Sequence, residues 1–213
     1  SNFFFFFDLF LMEASSTWME DYVYDHINDY YAYITSFFRT NNVPFDYVGN
    51  NHEYGLALWW HYIETVFQTP DLIRETWEAI AEWPALEALD KVLHSRGYTF
   101  NDAMTEFYSW NIMTADRSDP SRFYEEGAFY PQIVFDEADT IQTSRMIETA
   151  IKPLAVRYFS YQDSEETQII LAPVNVSRQD QASQNLCQLY LHKGIGKPGY
   201  TALGRNFFGA LVS

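Results

Sequence analysis

The stretch EYGLALWWHYIETVF, residues 53–67, is apolar on nearly every side. A helix with no polar face cannot turn any side to water, so other elements must surround it. That requirement commits the chain to a helical core, and the neighbouring segments have the patterns to supply it. Residues 12–38 read as one long helix. Trp18, Tyr22, His26, Asp29 and Tyr33 fall near i, i+4, i+8 spacing, and Met19, Val23, Ile27, Tyr30 and Ile34 form a second stripe. RTNNVPFDYVGNN, residues 39–51, reads as a loop from its Asn, Pro and Gly content. Residues 69–83 open with Thr69 as a cap, Pro70 in the first helical position and Asp71 after it. Residues 84–97 open at Pro84 and close at Gly97, a C-cap residue. Residues 99–114 form another amphipathic helix with Thr99 as its cap. The expectation is a bundle of about five helices joined by short connections.

Near residue 115 the texture changes. ADRSDPSRFYEEGAFYP is irregular, and beyond it come short β-type runs at 155–162, 167–176, 185–192 and 206–212, separated by turn material. The predicted fold class is α+β: a helical bundle at 1–118, an irregular connection at 119–150, and a short antiparallel β segment at 151–213, part of a β-sandwich. Aromatic residues make up 19% of the chain, enough to fill a large core and to exclude a disordered polymer. The net charge of −16 comes with no cluster of Lys or Arg, which argues against a nucleic-acid partner and against binding anionic lipid. The single cysteine, Cys187, excludes an internal disulfide and a cysteine-rich zinc site; it reads as a packed strand residue. The opening SNFFFFFDLFLM is apolar but broken by Asp8 and too short to span a bilayer, so no membrane span is expected. It reads as the interior of a longer chain, because a terminal run of five exposed Phe would promote aggregation.

The segment LMEASSTWMEDYV carries the chemistry. It resembles the second zinc-binding helix of the gluzincin metallopeptidases, in which the third zinc ligand lies in a pattern like (W/L)-x-E-(G/A)-x-(A/S)-(T/S)-(Y/W)-x-E. Glu13 stands at the ligand position, and Ala14, Thr17, Trp18 and Glu20 match the rest. The wider run MEASSTWMEDYVYDHINDYYAYITSFF is similar to secreted bacterial metalloproteases of the peptidase-MA-like type. The likeness continues through YGLALWWHYIE and GYTFNDAMTEFYSWN, over roughly residues 9–130. The resemblance implies a Zn2+-dependent hydrolase of peptide bonds, secreted or at the bacterial cell surface, with peptide or protein as substrate. In such a site two imidazoles and one carboxylate hold the metal and leave a position for water. Glu20 is then a second-shell partner, and His52 or Tyr54 the group that stabilises the tetrahedral oxyanion.

One departure limits the resemblance: the chain has no H-E-x-x-H. Its histidines are His26, His52, His61, His94 and His192, and no two share the required spacing. The expectation is therefore a metallopeptidase fragment, amino-terminally cut, inactive and without tightly held zinc on its own, and self-associating through an apolar face left uncovered. The rival readings are a non-catalytic extracellular binding module and a pseudoprotease. Residue by residue, bland readings stand beside these. Glu13 also suits an N-cap or first-turn carboxylate on the helix dipole. His52 and Tyr54 suit loop or core positions, His61 a core histidine, and Trp59-Trp60 a core or cleft wall. Asp25, Asp29 and Asp46 suit a solvated face rather than a calcium loop.

Overall fold

The computed structural model describes residues 8–141, 151–163, 188–193 and 206–212, which divide into two compact units. The first comprises Ser1–Thr40 with Phe45–Ile133; the second comprises Asn41–Pro44 with Val134–Ser213.

Among the described residues seven α-helices build the first unit: α1 (Leu9–Val23), α2 (Tyr31–Arg39), α3 (His52–Gly55), α4 (Ala57–Phe67), α5 (Asp71–Ile80), α6 (Ala85–His94) and α7 (Phe100–Trp110). The all-apolar segment behaves as its composition demands. In α4, Ala57, Leu58, Trp59, Trp60, Tyr62 and Ile63 are all buried, so Trp59-Trp60 is core. α1 packs on α3 and α4, and α5 pairs with α6. The packing is aromatic edge against aromatic face. Phe107 meets Trp59 at 5.4 Å and 84°, and Tyr62 meets Trp110 at 5.1 Å and 86°. Such pairs add roughly 0.5–1.5 kcal/mol each beyond area burial. The expected cap at Thr99 is present, whereas α5 begins at Asp71 with Pro70 as its cap and α6 ends at His94 with Ser95 as its cap. Thr69 Oγ1 accepts from the Asp71 amide at 3.1 Å, Thr99 Oγ1 accepts from the Asp102 amide at 3.1 Å, and Gly97 adopts φ +82° after α6.

The single helix expected over 12–38 is two helices. Its stripes are real, but residues 24–30 hold Asp25, Asn28 and Asp29, whose short polar side chains compete with the helical ladder. Asn28, with its amide nitrogen turned toward them, lies 3.2 Å from both Asp21 Oδ1 and the Asp25 carbonyl and closes the turn. The helix expected over 53–67 is likewise interrupted, at Leu56.

The second unit carries a four-stranded sheet of order β1-β2-β4-β3, with β1 Glu137–Ile141, β2 Val156–Asp163, β3 Gln188–Lys193 and β4 Asn206–Val212. Val156 and Gln188 both register with Val212 on the central β4, in antiparallel pairs. β1 runs parallel to β2, Glu137 opposite Phe159, so the sheet is mixed rather than antiparallel as expected. The strand at fault lies in the stretch read as an irregular connection, 119–150. EADTI has two acids and an alanine, a poor intrinsic strand; pairing with β2 makes it one. Asp136 sets that pairing, accepting from the Tyr158 amide at 2.8 Å and from Arg157 at 2.9 Å. Residues 41–44 belong to this unit because Asn42 donates its amide to the Val156 carbonyl and accepts from the Lys152 amide. The run expected at 167–176, the Phe run before α1 and Cys187 lie outside the described residues. The described strands form one sheet, not the two faces of a sandwich.

Candidate functional site

Two polar clusters occupy the first unit. The first joins α1 to α3. Glu13 is half-buried in the second turn of α1, not in its first turn, because the helix begins at Leu9. It is therefore no N-cap. Ala14 beside it is fully buried, which lets α1 come close to its neighbours. α3 is short and is held in place from both ends. Asn50 and Asn51 adopt left-handed φ of 55° and 62° before it, a conformation asparagine tolerates. Glu53 accepts from the Gly49 amide at 2.8 Å. At its other end Gly55 backs onto Phe37 so closely that an added Cβ would stand 2.5 Å from Phe37 Cβ.

This placement brings Tyr54 to Glu13. The charge of the Glu13 carboxylate, before burial and the charge of Glu53, raises the Tyr54 phenol above its ordinary pKa. Tyr33 stacks on Tyr54 at 5.0 Å and fixes the ring. A phenol held protonated at neutral pH is a hydrogen-bond donor. Glu13→Gln should bring the Tyr54 pKa down; ring 13C NMR of Tyr54 against pH checks this, and an unmoved titration would refute the contact.

His52, the other oxyanion candidate, lies elsewhere. It is 4% exposed, packed on Phe37 at 4.8 Å and Tyr47 at 5.8 Å. Glu20 is exposed two turns along α1 from Glu13, roughly 10 Å down the axis. Among the described residues no three His, Cys, Asp or Glu side chains are grouped to hold a metal ion. Glu13 is thus one donor without the two imidazoles a zinc site of this type needs. Asp25, Asp29 and Asp46 are exposed, as a solvated face should be.

The second cluster was not foreseen from sequence. Asp21, 7% exposed, and Thr17 face a cleft of about 190 Å³ that Glu20, Asp29 and Tyr30 also line. Burial pushes the Asp21 carboxyl up to about 7, and the charges of Glu126, Asp25 and Glu64 add to the shift. His61 Nε2 lies 3.9 Å from Asp21 Oδ2, beyond hydrogen-bond reach, and burial lowers the imidazole to about 4. The pair below neutrality is therefore carboxylic acid and neutral imidazole. Tyr30 stacks on His61 at 4.9 Å, donates to Glu126 Oε2 at 2.5 Å and lies 2.6 Å from the Tyr130 hydroxyl. Trp18 Nε1 donates to Glu64 at 3.1 Å. His61 is thus a core histidine stacked in an acidic, tyrosine-rich setting.

Comparison with known proteins places the chain nowhere. No family model, no curated protein and no solved structure matches it. No helix among the described residues is long and apolar enough to cross a membrane.

Proposed function

We propose that the first unit contributes the carboxylate side of a zinc peptidase centre of the gluzincin type, secreted or at the bacterial cell surface, and that this chain alone does not complete it. The observation that supports this reading is the juxtaposition of Glu13 and Tyr54. A carboxylate that can ligate a metal stands half-buried on α1 beside a phenol that keeps its proton. When bound, zinc in such a centre supplies Lewis acidity and an activated water. Glu13 would be its carboxylate donor, and the imidazoles would come from outside the described residues. Tyr54, stacked on Tyr33, would donate its O–H to an oxyanion formed next to Glu13 on a peptide substrate; one such donor is worth roughly 100–1,000-fold in rate. Glu20 acts at longer range on the same helix face. A second reading, a non-catalytic binding module, draws support from an apolar groove on another face of α1.

The test joins gene sequence to calorimetry. An H-E-x-x-H motif roughly twenty to sixty residues before Glu13 in the reading frame supports the proposal. In the protein that carries it, Glu13→Gln should weaken zinc binding by at least about 100-fold and abolish peptide hydrolysis. The present chain should bind zinc no tighter than about 1 μM, since one carboxylate is a weak and unselective ligand set. Absence of the motif, unchanged hydrolysis in the Glu13→Gln protein, or a stoichiometric submicromolar zinc site in the present chain overturns it.

A further inference from the structure

A groove of about 490 Å³ runs between α1 and α5, walled by Met12, Met19 and Tyr22 on one side and by Ile73 and Trp77 on the other. It is independent of the Glu13 cluster. At about 100° per residue, Met12, Ser16 and Met19 share a helix face that Glu13, Thr17 and Glu20 do not. Met19 is 47% exposed and Tyr22 49%. Tyr22 is held in place by stacking on buried Trp18 at 4.8 Å. Serines 15 and 16 keep the floor low.

The rim is acidic. Arg74, the one cation lining the groove among the described residues, is claimed by Glu78 at 2.5 Å and Asp71 at 3.8 Å, while Glu75 is taken by Arg96 at 2.8 Å, so the two carboxylates around Arg74 leave the α5 rim net negative. From Met12 to Tyr22 the groove follows α1 for roughly 15 Å, the length of about ten residues of helix. We propose that this groove docks an amphipathic helix of a basic partner protein, its apolar stripe against Met19, Tyr22 and Trp77 and its Lys or Arg side chains on the acidic rim. Apolar anchors in a groove give such a contact its affinity, and rim charges give it selectivity. A second copy of this chain is the weaker occupant. It would set −16 against −16 and bring acidic rim to acidic rim.

The experiment uses the full chain and synthetic helical peptides of about 18 residues with leucines at i, i+3, i+4 and i+7. One carries lysine on its polar face, one carries glutamate there, and one keeps the lysines but has serine for leucine. Fluorescence anisotropy at near-physiological salt should show the Leu/Lys peptide binding at least tenfold more tightly than either control. Met19→Ser with Tyr22→Ser should cost that peptide at least tenfold, with an unchanged circular dichroism spectrum, since both side chains are half-exposed. Glu78→Lys with Asp71→Lys should shift the preference toward the Leu/Glu peptide. Equal binding of the Ser/Lys peptide reduces the effect to bulk charge. Equal binding of the Leu/Glu peptide removes the role of the rim. Unchanged affinity in the double serine variant moves the site elsewhere. A dimer in sedimentation that this variant abolishes assigns the groove to a second copy, and binding to neutral phospholipid vesicles assigns it to lipid. Each of these five results overturns the proposal.

Discussion

Replacing Phe45 with alanine should lower the unfolding free energy by about 3–5 kcal/mol, among the largest losses a single substitution produces. Phe45 belongs to the loop between α2 and α3, yet its ring is wholly buried. It meets Phe10 of α1 at 5.9 Å, Trp59 of α4 at 5.0 Å, and Phe100 and Phe107 of α7 at 5.4 and 6.4 Å, all edge to face. The alanine variant leaves a hole walled by aromatic rings of three helices. Those rings cannot collapse into it without breaking their own contacts, so the cavity cost is added to the lost transfer energy. Against a total stability of roughly 5–15 kcal/mol, that is a large share. Asp46→Asn, one residue along and exposed, should stay within about 0.5 kcal/mol. Urea midpoints with unchanged slopes measure both. A Phe45→Ala protein that loses less than about 1 kcal/mol would show that the loop, not the ring, holds this corner of the core.

Phe45 marks where sequence reading runs out. Inside RTNNVPFDYVGNN nothing periodic distinguishes it, because its burial is decided by helices that start elsewhere in the chain. The opposite holds for α4, where an apolar surface on every side leaves burial as the only outcome. It holds also for the cap at Thr99, where the start chemistry is local. The helix stripes over 12–38 misled because period alone does not see the Asp and Asn residues that break the ladder at 24–30. β1 was hidden for a related reason: EADTI becomes a strand through β2, not through its own propensity. At the site, Glu13 and Tyr54 were both legible as chemistry-bearing residues, although their approach to each other was not. Asp21, His61 and the Glu126–Tyr130 segment come from three separate stretches, so no spacing rule could join them.

The Asp21–His61 pair should give a chain whose stability is nearly level between about pH 4 and 6.5, and two variants that tilt in opposite directions. Asp21 titrates at about 7 when folded against an ordinary 3.8. Its contribution is full below 3.8 and is lost as pH rises through 7, because only the unfolded chain gives up the proton easily. His61 titrates at about 4 when folded against an ordinary 6.5. Its contribution is full above 6.5 and is lost as pH falls through 4, because only the unfolded chain takes up the proton easily. Where the windows overlap, each group contributes a slope of up to about 1.4 kcal/mol per pH unit, of opposite sign, and the two cancel. Solvent reaches both side chains, His61 15% and Asp21 9% exposed, and reduces both contributions by roughly half. His61→Phe keeps the stack on Tyr30 and leaves Asp21 alone, so stability should fall as pH rises across this range. Asp21→Asn keeps a partner for Asn28 and leaves His61 alone, so stability should rise. Over the range the two variants should diverge by roughly 3 kcal/mol after that reduction, read as urea midpoints from about pH 4.5 to 6.5. Parallel profiles in all three proteins would mean that neither group changes its protonation on folding. Opposite slopes would establish Asp21 as a carboxylic acid at the mouth of a cleft near neutral pH, beside an imidazole that stays neutral. That is the protonation state in which a carboxyl can act as a proton donor to whatever enters the cleft.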